Sequence, residues 1–275
     1  MLIVAGLDPS GGAGLVADVA VVVARGLHPV AVATALTVQD SSRCHAWESP
    51  TTELVAAQLR RLILDLPIAA VKIGMLGTAA MARVVAEELV ALVRLGVPVV
   101  LDPVLRASVG EALLRDGDDE GDDGAVKAFA PLLPLVTLLT PNREEAERLS
   151  GHAVADEAGQ TAAGEALRAR GALAVLVKGG HLGGDTAIDL LVDEFGSLAL
   201  RSPRLPGAAP HGTGCALATE VTCALALGNP LREAVAAGHA RVHARIAAAR
   251  ALGKGRLFLG SALMDQVLGF KGTSR

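Results

Sequence analysis

Along the first two thirds of this chain, short β-branched runs alternate with longer stretches of helical spacing, and few folds tolerate that rhythm. Short β-branched, apolar runs fall at 2–5, 29–38, 69–74, 97–102, 135–140 and 173–178, with helix-patterned segments at 14–25, 51–64, 78–95, 144–150 and 157–170 between them. Successive β–α–β units close on themselves only as a parallel sheet. Runs such as Val97-Pro98-Val99-Val100-Leu101 are apolar on both faces, so helices must cover the sheet on both sides. The expectation is an α/β fold of three layers, a doubly wound, mostly parallel sheet between two helical layers. Two further runs, 188–193 and 197–201, flank Glu194-Phe195-Gly196 and predict an antiparallel hairpin at the sheet edge. Helical spacing returns at 230–252, and 260–268 predicts a last short helix. No linker interrupts the pattern, which predicts one domain over 1–275.

Composition narrows the function classes. With 275 residues and 51% hydrophobic content the chain can bury a sizeable core. A net charge of −4, with four Phe, one Trp and no Tyr, offers neither basic excess for phosphodiester backbones nor rings for stacking bases, which excludes nucleic acid as a partner. The three cysteines, Cys44, Cys215 and Cys223, form no metal-binding or disulfide spacing. The N-terminus lacks a basic n-region, and the apolar stretch 16–38 is broken by Asp18, Arg25 and Pro29, so neither export nor a membrane span is expected. The chain reads as cytoplasmic, and its apolar excess suggests a homodimer. The segment 116–124, with six acids among three glycines, reads as a solvated loop. An EF-hand counted from Asp116 would need a carboxylate where Lys127 stands.

Ligands of a doubly wound sheet bind at the carboxyl ends of its strands. There this chain carries Asp8, Gln39, Asp102, Asn142 and Lys178. The loop His211-Gly212-Thr213-Gly214-Cys215 joins them and runs straight into an apolar helix. Its glycines permit close approach of backbone to ligand, and the free N–H groups and dipole of the helix start favour an anion, so 212–215 reads as a phosphate cradle. The same field should favour a thiolate at Cys215. A glycine turn with Cys215 as a small apolar residue fits the same letters. The loop Asp8-Pro9-Ser10-Gly11-Gly12-Ala13-Gly14 can wrap a ligand but matches neither a P-loop nor a dinucleotide fingerprint. Asp18 suits a helix dipole or a ligand equally. Gln39 can offer its amide to a polar heterocycle or merely end a strand. Asn142 and Glu145 can hold Mg²⁺ through water, or form a capping box. Lys178 supplies a compact charge for phosphate.

Taken together, Ala5-Gly6-Leu7-Asp8-Pro9-Ser10-Gly11-Gly12-Ala13-Gly14 with Ala17-Asp18, Thr34 to Gln39, Lys72-Ile73-Gly74-Met75-Leu76, Asp102-Pro103-Val104, Thr140-Pro141-Asn142, Val177 to His181 and His211 to Cys215 resemble the ribokinase-like superfamily. Within it they are similar to the hydroxymethylpyrimidine/phosphomethylpyrimidine kinases of thiamin biosynthesis, which carry cysteine where most relatives carry aspartate at the position of Cys215. The resemblance implies phosphorylation by ATP, with Mg²⁺, of the hydroxymethyl group of 4-amino-5-hydroxymethyl-2-methylpyrimidine and then of its monophosphate. It further implies Gly6, Ala13, Asp18, Gln39, Met75 and Val104 about the ring, Cys215 as base or proton relay, and Gly212, Thr213 and Gly214 as anion hole. Lys178 and Asp102 would meet the nucleotide phosphates, with Asn142 and Glu145 near the metal. A pyridoxal or pyridoxamine kinase, whose substrate also carries a hydroxymethyl arm, and a non-catalytic pyrimidine sensor are the competing readings.

Overall fold

The computed structural model describes residues 1–105, 114–115, 123–180, 184–207 and 210–260. The chain runs β1 (Leu2–Leu7), α1 (Gly14–Ala24), β2 (Val30–Gln39), β3 (Cys44–Glu48), α2 (Thr52–Asp65), β4 (Val71–Ile73), β5 (Gly77–Thr78), α3 (Ala79–Arg94), β6 (Val99–Leu101), β7 (Leu114–Arg115) and α4 (Asp123–Phe129). A 3₁₀ turn (Leu133–Leu135), β8 (Leu138–Leu139), α5 (Arg143–Ser150), α6 (Glu157–Ala169), β9 (Val175–Val177), β10 (Thr186–Asp193), β11 (Gly196–Pro203), α7 (Thr213–Ala226) and α8 (Leu231–Ala247) follow. Nine strands form one sheet in the order β11-β10-β9-β8-β6-β4-β1-β2-β3. Its six inner strands are parallel, while β3 pairs antiparallel with β2, and β10 with both β9 and β11.

The expected architecture is present. One core unites α2 to α6 with one sheet face, through Leu59, Met81, Leu89, Phe129, Leu149 and Leu167. The other face buries Ile3 and Ala5 under α1, and Val100, Leu138 and Leu176 under α7 and α8. From β1 the chain crosses to β2 on one side, and after α2 it returns to β4 on the other. The carboxyl ends of β1 and β4 therefore part company there, leaving the crevice in which a doubly wound sheet binds its ligand.

Differences from the sequence reading lie at the margins. The runs expected at 97–102, 135–140 and 173–178 shorten to two or three paired residues, because only those ladder with a neighbour. The edge hairpin is longer than expected. Strand β3 and the small β5–β7 sheet carry no periodicity long enough to announce them. The acidic segment lies outside the described residues except 123 and 124, which open α4, and the helix expected at 260–268 lies outside them beyond Gly260.

Candidate active site

The loop after β1 is organised by the carboxylate of Asp8. Its Oδ1 accepts from Ser10 N at 2.8 Å and its Oδ2 from Ala13 N at 3.1 Å, which bends 8–13 into a hairpin aimed back at the sheet. Gly14 then turns with φ near +58°, where a Cβ would stand 2.3 Å from the Gly6 carbonyl oxygen, so only glycine fits. The chain enters α1 with Ala13 as an N-cap that has no side-chain bond.

The 212–215 loop meets this hairpin directly. Gly212 is the N-cap of α7 with φ near +78°, and a Cβ there would lie 2.0 Å from Gly12 O. Gly12 in turn has room only for hydrogen, because a Cβ would reach 2.3 Å from the His211 ring. Two glycine loops are thus packed backbone to backbone, and the first N–H groups of α7 open beside them. Behind Gly214 lies Lys178, whose Nζ would be 2.9 Å from a Cβ on that glycine. Lys178 donates to Asp102 Oδ1 at 2.9 Å, and Thr140 Oγ1 donates to the same oxygen at 3.2 Å. The strand ends of β6, β8 and β9 therefore converge on the start of α7, as their shared rim predicted.

Electrostatics tie these groups together. Burial works to lower the Lys178 ammonium, but Asp102 and Glu145 more than offset it and hold the lysine up to about 12. Burial pushes the Asp102 carboxyl up, yet Lys178, Lys72 and a hydrogen bond from the Cys215 thiol bring it below the ordinary range. Cys215 departs from expectation. Burial, with Asp102 and Asp18 adding their negative charge, pushes its thiol up to about 12 against the pull of Lys72 and a hydrogen bond from the Gly14 N–H. Burial, helped by the two carboxylates, outweighs the positive potential of the helix start and keeps the thiol protonated.

Gly6, Met75 and Val104 lie together: Met75 Sδ would touch a Cβ on Gly6 at 3.0 Å, and Val104 packs against the buried cluster of Ala35, Cys44, Trp47 and Met75. Gln39 lies at the end of β2, donating to Asp8 Oδ2 at 3.2 Å. Asp18 does not join them. It is 0% exposed, paired with Lys72 Nζ at 2.6 Å and bonded by Thr219 Oγ1 at 2.7 Å, so both its oxygens are occupied beneath the site. Asn142 and Glu145 form the capping box: the Asn142 side chain accepts from Glu145 N, and Glu145 Oε2 from Asn142 N at 2.7 Å.

Does this set suit Mg²⁺? Among the described residues no three His, Cys, Asp or Glu side chains cluster as a metal cage. A hydrated Mg²⁺ shared with nucleotide phosphates needs only one or two carboxylates. Glu145, 5% exposed, fits that need, for burial and Asp102 push it up to about 7 despite Lys178, leaving a carboxyl short of positive charge. Asn142 is committed to the cap through its oxygen.

Sequence reasoning gave no role to Lys72, Thr140, Thr219 or His211, although two signals were available. Lys72 interrupts the apolar strand Val71–Ile73 and Asp18 interrupts an apolar helix; two buried opposite charges in one chain call for each other.

Against this geometry stand the likenesses to known proteins. The hydroxymethylpyrimidine/phosphomethylpyrimidine kinase of Rhizobium meliloti is 41% identical over 258 residues, covering 93% of this chain and 94% of its own. Among solved structures, phosphomethylpyrimidine kinase from Clostridium difficile superposes with a TM-score of 0.73 at 30% identity, covering 88% of this chain and 97% of that one. The Bacillus subtilis pyridoxal kinase, solved as an ADP complex, gives 0.83 at 26% identity over 96% and 98%. The family model described as phosphomethylpyrimidine kinase matches residues 8–259, so with its glycine loops, lysine and cysteine at one rim, this chain belongs to the phosphomethylpyrimidine kinase family.

Proposed function

We propose that this protein transfers the terminal phosphoryl group of ATP to the hydroxymethyl oxygen of 4-amino-5-hydroxymethyl-2-methylpyrimidine and, in a second step, to the monophosphate so formed, in thiamin biosynthesis. The observation that carries the reading is the convergence of Lys178, Asp102, Gly214 and Cys215 at the start of α7, with Gly6, Met75 and Val104 near the carboxyl ends of β1, β4 and β6. Lys178 and the amides of Gly212, Thr213, Gly214 and Cys215 meet the charge on the migrating phosphoryl group. Asp102 holds Lys178 in place and, with Glu145, keeps it protonated. Glu145 would hold Mg²⁺, which would supply neutralisation of the phosphate charge.

A thiol held neutral suits a relay better than a standing base. As the hydroxyl oxygen attacks, its proton passes to Cys215 Sγ while the thiol proton moves to Asp102. Lys72, buried beside Cys215, stabilises negative charge on sulfur during that exchange. We place the enzyme in the cytoplasm; no described helix is long and apolar enough to cross a membrane. Exposed Leu36 and Val38 on β2 would suit a second copy of the chain, which sedimentation tests.

The reading is tested by incubating the protein with ATP, Mg²⁺ and either the aminopyrimidine or pyridoxal, following ADP release and product mass. A kcat/KM favouring pyridoxal by more than about tenfold would transfer the assignment to the pyridoxal kinases. Turnover of neither would favour the sensor.

A further inference from the structure

After α8 the chain folds back over the site. Arg250 N donates to Phe258 O at 2.9 Å and Phe258 N to Arg250 O at 2.8 Å, which closes 250–258 into a loop. This loop is tied to the turn after β2, for Gly255 N donates to Ser41 Oγ at 3.1 Å and Arg256 N to Ser41 O at 2.9 Å. The approach is so close that a Cβ on Gly255 would stand 2.3 Å from the Ser41 carbonyl oxygen. The loop is also tied to the phosphate cradle: His211 N, one residue before Gly212, donates to Leu257 O at 2.8 Å. The Phe258 ring lies on Gly12, where a Cβ would come within 3.1 Å of Cε1. Gly12 thus meets Phe258 and His211 on one side and the Gly212 backbone through its carbonyl. Gly12, His211 and Gly212 are buried, while Thr213, Gly214 and Cys215 keep some exposure. The returning segment therefore covers one side of the cradle and leaves another open. Phe258 and Gly253 also wall a cavity of about 390 Å³ against Ser10, Gln39 and Ser41.

We infer that 250–260 is a strap across the phosphate cradle and Phe258 its positioning residue: the ring presses Gly12 against Gly212, sets where the first N–H groups of α7 point, and bars water from that side. This rests on the kinase reading above and deepens it, by naming what keeps water from competing for the phosphoryl group. When water takes the place of the substrate hydroxyl, its oxygen bonds to the terminal phosphorus of ATP as the bond to ADP breaks. ADP, inorganic phosphate and a proton result. Amides displaced by about 1 Å lose much of their hold on the developing charge, on the order of 10²-fold in rate. An uncovered site also admits the water that the closed one excludes. Because Arg250 and Phe258 hold the loop shut, a disturbance at Ser41 is transmitted to Gly12.

The test counts ADP released and phosphoryl groups delivered to the ring, in the full chain with ATP, Mg²⁺ and saturating 4-amino-5-hydroxymethyl-2-methylpyrimidine. In wild type the two should match. Phe258→Ala should lower kcat by about 10–10²-fold and release inorganic phosphate, so that ADP exceeds delivered phosphoryl groups by about twofold or more. Gly255→Ala acts at the Ser41 end, on an exposed residue, and should show the same excess; it decides the matter if Phe258→Ala does not fold. A variant that is only less stable loses ADP and product in proportion. Matched yields in Gly255→Ala, or in a folded Phe258→Ala, therefore overturn the proposal however low the activity. A wild type that phosphorylates neither this ring nor pyridoxal overturns the kinase reading and the strap's role with it, whereas matched yields in variants of an active wild type overturn the strap alone.

Discussion

Replacing Lys72 with Met should unfold this enzyme far more readily than its remoteness from solvent suggests. Lys72 and Asp18 are both 0% exposed and meet at 2.6 Å, so the change strands a carboxylate that keeps only the Thr219 hydroxyl. Burial works to lower the ammonium, yet Asp18, with Cys215 and Asp102, holds Lys72 above the ordinary lysine range, while burial keeps the Asp18 carboxyl above its own ordinary range in spite of Lys72; the 2.6 Å contact between two buried groups is what joins them. Removing one partner of a buried pair costs about 3–5 kcal/mol. Lys72 also faces Asp102 and Cys215, which argues for the upper half of that range. With a urea m-value of about 3 kcal/mol/M, the midpoint should fall by roughly 1.3–1.7 M, read by circular dichroism. Adding Asp18→Asn should recover most of the loss, since the neutral amide still accepts from Thr219. In the single variant the stranded Asp18 has a raised folded-state pKa, so the folded protein binds the extra proton and the deficit narrows as pH falls from 8 toward 5. A single variant within about 1 kcal/mol of wild type, or a double variant no better than the single, would refute the reasoning.

Three further outcomes follow from the site. A Cys215 thiol near 12 is protonated across the neutral range, so iodoacetamide at pH 7.5 should label it at least about a hundredfold more slowly than free cysteine; rapid labelling would restore a thiolate. Glu145, raised to about 7, binds its proton in the folded state before the unfolded one does, so its contribution is fully present below about pH 4.5 and lost as pH climbs through 7. Glu145→Gln should therefore raise stability by about 1–3 kcal/mol at pH 8 and change little at pH 4.5, and equal effects at both pH values would contradict it. Gly214→Ala puts a methyl 2.9 Å from Lys178 Nζ, which a flexible side chain can evade but only by leaving its post. Activity should drop about 10²–10³-fold with thermal stability nearly unchanged, and full activity would remove Lys178 from the phosphate site.

Much of this molecule was legible in the letters alone. The alternation of short apolar runs and helical spacing dictated a parallel sheet between two helical layers, because a strand apolar on both faces has no other stable environment. That sheet put Asp8, Gln39, Asp102, Asn142 and Lys178 on one rim, and two glycine loops could be seen to permit close approach of backbone to a ligand, though not that they pack on each other. Ladder lengths were not legible, since Leu138–Leu139 is a strand only by virtue of its neighbours. Nor was the state of Cys215, for a helix start announces positive potential while the carboxylates that overrule it arrive from distant segments. Asp18 illustrates the limit best: a lone acid in an apolar helix reads equally as ligand or as structure. Only the arrival of Lys72, 54 residues onward, commits it to structure, because charge pairing in a dry interior depends on distance and distance is set by the fold.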